Sequence, residues 1–307
     1  MMKRRDFIVR SGALALGTLA LAGKQASAWM PASALPAPGL QLYTVMGVID
    51  KDLDGTLKRL SEMGYRNLES AFSMKGGFYG LSATEFASKA KSFGLSWQAH
   101  HTMGAPFKMP AGAKPPVGAD GKPMVIPPMK NLRDNAQEIV DGVAAGGVKY
   151  LVCASTPLDT WDEVKQSTET LAKTGELCRK AGIGFAYHNH TKEFEKVEGQ
   201  VPFDYMAAQL SPKEVKFELD LAWATKAGIN PVELFRKHPG RFPLWHVKDL
   251  DKASFKPVEI GAGYIDFKPI FENASVSGLE YYFVEQDQAP APLDNLNNSL
   301  QALRKLI

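Results

Sequence analysis

The chain has 307 residues, 45% hydrophobic and 22% charged, with a formal net charge of +3. That length suits one large α/β domain or two small ones. So weak a positive charge, with no dense Lys/Arg stripe, argues against a nucleic-acid partner, and a mean hydropathy of −0.19 fits a soluble globular chain.

Residues 1–28 read as an export signal. MMKRRDFIVR supplies a basic start with Arg4, Arg5 and Phe7, SGALALGTLALAG an apolar stretch too short to span a bilayer comfortably, and Ala26-Ser27-Ala28 a cleavage site. The paired arginines point to a twin-arginine signal; the alternative is an ordinary secretory one. The mature chain, 29–307, is then expected in the periplasm or otherwise exported, with no stable membrane insertion after cleavage.

From Gly39 onward a unit recurs: an amphipathic segment, a glycine, then a short apolar run ending in polar residues. Glycine ends a helix well because it adopts the left-handed cap. The apolar runs read as buried parallel strands. Eight are expected: 39–44, 67–70, 96–101, 150–155, 184–190, 215–220, 243–249 and 281–287. Helical segments alternate with them. DLDGTLKRLSEM places Leu53, Leu57, Leu60 and Met63 on one stripe, and ATEFASKAKSF, NLRDNAQEIVDGVAA, VKQSTETLAKTGELCRK, NPVELFRKH and LDNLNNSLQALRKLI are comparable. Most successive strand ends are about 30 residues apart, the repeat of a βα unit. Eight such units predict an α/β fold of the (β/α)8 TIM barrel type in a single domain. A doubly wound open sheet is the alternative, but no glycine-rich dinucleotide turn supports it.

The longest interval holds a Pro/Gly-rich stretch, 103–130, leaving strand three just after His100 and His101. It reads as a loop, either a functional lid or an insertion. Cys153 and Cys178 are expected as two buried thiols, with a disulfide as the exported alternative.

The chemistry collects at strand ends. Five of the six histidines lie there, His100, His101, His188, His190 and His246, together with Glu69, Asp220, Asp249, Glu285 and Asp287. In a barrel these ends share one mouth. His188, Asp220, His246 and Glu285, one from each of strands five to eight, form a donor set suited to one divalent ion such as Mn²⁺, Zn²⁺, Fe²⁺ or Co²⁺. Each has a plainer reading: Asp220 as a helix N-cap, His246 as a wall residue, Glu285 as the partner of Lys248.

FELDLAWATKAG, WHVKD with the distal EIGAGYIDF, and YYFVEQD resemble the xylose isomerase-like barrels, often called sugar phosphate isomerase/epimerase proteins. AYHNHTKEF resembles a subgroup with a Tyr-His-Asn-His segment at strand five. The resemblance covers most of 39–307. It implies a divalent metal on strands five to eight, with Asp220, His246 and Glu285 matching well. Many relatives have Glu where this chain has His188, so the fourth ligand stays open between His188 and Glu193, the other then binding substrate. His190 matches the place of a catalytic histidine in related dehydratases.

The family's chemistry implies proton abstraction next to a carbonyl, giving an enediolate. His190 is expected as the acid/base, Lys248 as a cation near the developing oxyanion, and Glu69 as a hydroxyl-binding group or second acid/base. His100, His101, Trp223 and Trp245 are expected against a small-molecule carbohydrate substrate. The leading expectation is a sugar isomerase/epimerase. The alternatives are a dehydratase, lyase or hydratase on an oxidised sugar (an inosose or 3-keto-glycoside) and a non-catalytic carbohydrate-binding protein. The oligomeric state is left open.

Overall fold

The computed structural model describes residues 35–107 and 129–307. The expected signal, 1–28, and most of the expected 103–130 loop lie outside them. The eight apolar runs form eight parallel strands. They are β1 Gly39–Gln41, β2 Asn67–Ser70, β3 Ser96–Met103, β4 Tyr150–Ser155, β5 Gly184–His188, β6 Lys216–Asp220, β7 Leu244–Val247 and β8 Tyr281–Val284. They close into one barrel in the order β1-β8-β7-β6-β5-β4-β3-β2, every pair parallel. A helix follows each strand: α1 Leu53–Met63, α2 Ala83–Ser92, α3 Leu132–Ala145, α4 Trp161–Ala181, α5 Pro202–Gln209, α6 Pro231–Lys237, α7 Phe267–Glu272 and α8 Pro292–Leu306.

Both faces of each strand are covered, which is why the runs are apolar throughout. Outward residues such as Leu68, Leu151, Phe185, Phe217, Trp245 and Tyr282 pack under the helices. Inward residues Ala99, Tyr150, Val152, Ala186, Leu244 and Phe283 form a separate plug inside the barrel. Two residues further along the same strands, the inward positions become His101, His188, His246 and Glu285. The side-chain period of two therefore stacks the polar cluster directly on the apolar plug.

The helices are fixed by local signals. Ser82 with Glu85, and Thr160 with Glu163, form capping boxes at α2 and α4. Gly64 and Gly182 take the left-handed conformation that ends α1 and α4, at φ 108° and 76°. Three expectations shift. The chain leaves β1 after Gln41 into a 3-10 turn, Leu42–Val45, and β5 stops at His188, so His190 lies beyond the strand. Helices α5 and α7 carry no clear sequence stripe because each is only about two turns long. Cys153 and Cys178 are buried free thiols.

Candidate active site

The mouth of the barrel opens into a cavity of about 690 Å³, whose polar floor is His101, His188, His190, Lys248, Glu285 and Asp287. Just beneath lie Asp220 and His246, both fully buried. Adjacent strands bring these groups together: Asp220 pairs in register with His246 across β6 and β7, and Glu285 follows β8 directly. Asp220, His246 and Glu285 each offer a ligand atom within 4.8 Å of the others. His246 Nδ1 is 2.7 Å from Glu285 Oε2 and 4.0 Å from Asp220 Oδ2, and His188 Nε2 is 3.8 Å from Asp220 Oδ2. Asp220 Oδ2 and His246 Nδ1 are buried, and their near neighbours are the Lys248 ammonium at 3.1 Å and Glu285 Oε2 at 2.7 Å. Imidazole nitrogen plus carboxylate oxygen, buried and converging on one point, is a donor set that fits a divalent ion.

A second tier lies deeper. Glu218 Oε2 is 3.0 Å from His188 Nδ1, 3.2 Å from His246 Nε2 and 2.7 Å from His101 Nε2. Glu69 Oε2 bonds His246 Nε2 and accepts from Gln41 Nε2 at 2.8 Å. Each imidazole of His188 and His246 thus turns one nitrogen down to carboxylates and the other up to the mouth. A neutral imidazole carries one N–H and one lone pair. With one N–H held by Glu218 or Glu69, the other nitrogen faces Asp220 and Glu285, and once deprotonated it would offer its lone pair to an ion, which is how ligating histidines are oriented.

The comparisons bear on this arrangement. A family model described as xylose isomerase-like TIM barrel matches residues 57–306. The chain belongs to the xylose isomerase-like TIM barrel family. A solved sugar phosphate isomerase/epimerase from Parabacteroides distasonis ATCC 8503 is 25% identical, with a TM-score of 0.68 over 92% of this chain and 99% of that one. Another from the same organism is 27% identical, with a TM-score of 0.70 over 88% and 98%. An inosose dehydratase from Geobacillus thermodenitrificans (strain NG80-2) is 27% identical over 164 residues, 48% of this chain and 54% of that enzyme. The chain spans about half the length of the curated relatives it matches.

Within this family member, the expected residues fall into three groups. His101, His188, His190, Lys248 and Glu285 line the cavity, with Asp220 and His246 just below. Trp223 is half-buried at the rim, its ring 6.4 Å from that of His190 and 5.5 Å from Lys248 Nζ. His100 also lines the cavity but bonds Ser70 Oγ at 2.7 Å and packs on Phe78 and Trp97. Three expectations need correction. Trp245 is 0% exposed and stacks on Phe235, so it faces the helix layer and not the cavity. Glu69 is not a cavity group; it sits in the lower tier, bracing His246 and His101. Glu193 spends both oxygens on the chain, Oε1 on the Tyr187 hydroxyl and Oε2 on the His190 amide at 2.7 Å, so it braces the segment after β5.

Glu218 was not among the expected residues. Its signal is its position: two before Asp220 in FELD, hence on the same inward face. Asp249 instead accepts the amides of Leu250, Gly261, Gly263 and Ile265, tying EIGAGYIDF to the end of β7.

Charge is unevenly shared. Lys248 Nζ lies 2.7 Å from Glu285 Oε2, 2.9 Å from Asp287 Oδ2 and 3.1 Å from Asp220 Oδ2. Burial disfavours its charge, but Asp220, Glu285 and Asp287 outweigh that and hold its pKa well above the ordinary value. Burial also opposes charging His246, yet Glu218, Glu285 and Glu69 hold its pKa well up. His190 differs: burial and then Lys248 bring its pKa down to about 4, so the ring is neutral at pH 7.

His100 shows what burial does to stability. Burial, then His101, lowers its pKa from 6.5 to about 3. The unfolded chain therefore takes up a proton that the folded chain refuses. Stability from this group is complete above about pH 6.5 and is lost as pH falls toward about 3. Discounted for partial exposure, the loss between pH 7 and 5 is on the order of 1 kcal/mol. Urea denaturation at both values should show a loss in the wild type that is smaller in His100→Gln by about that amount, the remainder coming from other buried imidazoles such as His190; equal loss in both refutes it.

Proposed function

We propose that the protein is a metal-dependent enzyme that enolises a sugar or keto-sugar, with isomerisation or epimerisation as its reaction. The observation that carries this is the meeting of Asp220, His246 and Glu285 beneath a cavity bordered by neutral His190 and cationic Lys248. Asp220, His246 and Glu285, with His188, would hold the ion, and Glu218 and Glu69 would keep the two imidazoles aimed at it. A divalent ion held there would supply Lewis acidity toward the substrate carbonyl.

The chain's own groups do the rest. Neutral His190 takes the proton from the carbon next to the carbonyl. The Lys248 ammonium offsets the negative charge that develops on oxygen. Return of the proton from His190 to the neighbouring carbon, with a proton moved between the two oxygens, isomerises; epimerisation needs a second acid to deliver a proton to the opposite face of the same carbon. The cations lining the cavity among the described residues are Lys130 and Lys248, both paired with carboxylates. That pairing favours an unphosphorylated substrate.

A second reading, elimination of a β-hydroxyl as in a dehydratase, is favoured by the similarity to inosose dehydratases. One experiment tests both. Mn²⁺-loaded and EDTA-treated protein is incubated in D₂O with a panel of sugars, keto-sugars and inososes and followed by NMR. Metal-dependent deuterium uptake supports isomerisation or epimerisation, and metal-dependent loss of water supports the dehydratase. Tight binding with neither outcome would leave a carbohydrate-binding protein.

A further inference from the structure

The cavity has two unlike sides. Its floor is the polar cluster, but its flank toward β2, β3 and α3 is built from Phe72, Phe78, Met103, Phe107, Ile139 and Val143. A volume of about 690 Å³ is more than one six-carbon sugar fills; cavities of about 300–1,000 Å³ take drug-sized ligands. A bare sugar pressed on that flank would lose water from its hydroxyls and gain no partner. Lys130 and Glu138, at the outer edge of the flank, pair with each other.

Gly142 adds an independent observation. It sits inside α3 and lines the same flank, and a Cβ built on it meets nothing within 4 Å among the described residues. Glycine inside a helix costs about 0.5–1 kcal/mol relative to alanine. Here that cost coincides with open space, on a helix face where any side chain would project into the cavity. Phe107, 46% exposed, presents its ring on the same flank.

We propose that this flank is a subsite for an apolar, ring-sized group attached to the sugar, so that the substrate is a keto-sugar glycoside with an aryl or similarly bulky apolar aglycone and not a free monosaccharide. The inference rests on the sugar-enolising reading and narrows it. The polar floor takes the sugar ring, and the flank beside Gly142 takes the substituent.

Calorimetry on Mn²⁺-loaded protein with the phenyl and methyl β-glucopyranosides, each in its 3-keto form, tests it. The phenyl compound should bind the wild type about tenfold tighter or more, the gain expected from burying an aromatic ring. Gly142→Leu should remove that preference and leave the methyl compound within about twofold. Phe107→Ala, at an exposed position where folding is not at risk, should reduce the preference several-fold. Equal affinities in the wild type, or equal weakening of both ligands by Gly142→Leu, overturn the subsite alone. If neither glycoside binds the ion-loaded protein, the sugar reading falls and the subsite with it.

Discussion

His190→Ala lowers the rate of substrate proton exchange by about 10²–10⁴, the usual contribution of a positioned acid/base, while the protein keeps its ion. His190 stands one step outside the candidate ligand set. It lies past the end of β5, its amide anchored by Glu193 Oε2 at 2.7 Å and its ring 5.0 Å from that of His188. Burial and Lys248 keep it unprotonated at pH 7, so it can accept a proton without first losing one. His188→Ala has the opposite profile: ion retention weakens, because the imidazole between Glu218 and Asp220 is gone. Metal content of the two purified variants, beside their exchange rates, separates the roles. Exchange in His190→Ala within threefold of wild type would remove His190 from the chemistry.

Lys248→Met destabilises the ion-free protein by about 3–5 kcal/mol, the cost of removing one partner from a buried charge cluster. Asp220 and Glu285 are buried and Asp287 largely so, and all three lie within 3.1 Å of the same ammonium. Without it they repel one another. A divalent ion placed among them restores what the lysine supplied, so most of the loss should disappear at saturating Mn²⁺. Ion affinity should also rise tenfold or more, because a like charge has left its immediate surroundings. Exchange activity should still fall, since Lys248 also faces the developing oxyanion. Urea denaturation with EDTA and with Mn²⁺, together with a binding isotherm, checks each part. A weaker ion affinity in the variant would mean that Lys248 helps hold the site and does not compete for it.

The barrel was readable because parallel strands buried on both faces must be apolar throughout, and each closes with polar residues at the mouth. That regularity located His188, Asp220, His246 and Glu285, which the structure brings together from four neighbouring strands. The depth of each group was harder to read. Period two sends Trp245 outward because His246 points inward, and it sends Glu218 inward because Asp220 does. Applied strictly, the same rule excludes the tryptophan and finds the glutamate. The contact of Glu69 and Glu218 with His101 above them was harder to foresee for another reason: these residues come from β2, β6 and β3, up to 149 residues apart between Glu69 and Glu218, and only barrel closure makes them neighbours. Glu193 looked like a ligand because it follows a histidine pair, but the Tyr187 hydroxyl and a backbone amide use both its oxygens. Gly142 carried no signal in the helix pattern, since its meaning lies in the space beside it.

The most direct measurement is anomalous diffraction from crystals soaked in Mn²⁺. A single anomalous peak in contact with Asp220, His246 and Glu285, with the His188 ring turned toward it and Glu218 behind both imidazoles, is the predicted result. A peak seated instead among Glu69, His101 and Glu218, or no peak at saturating Mn²⁺, would contradict it.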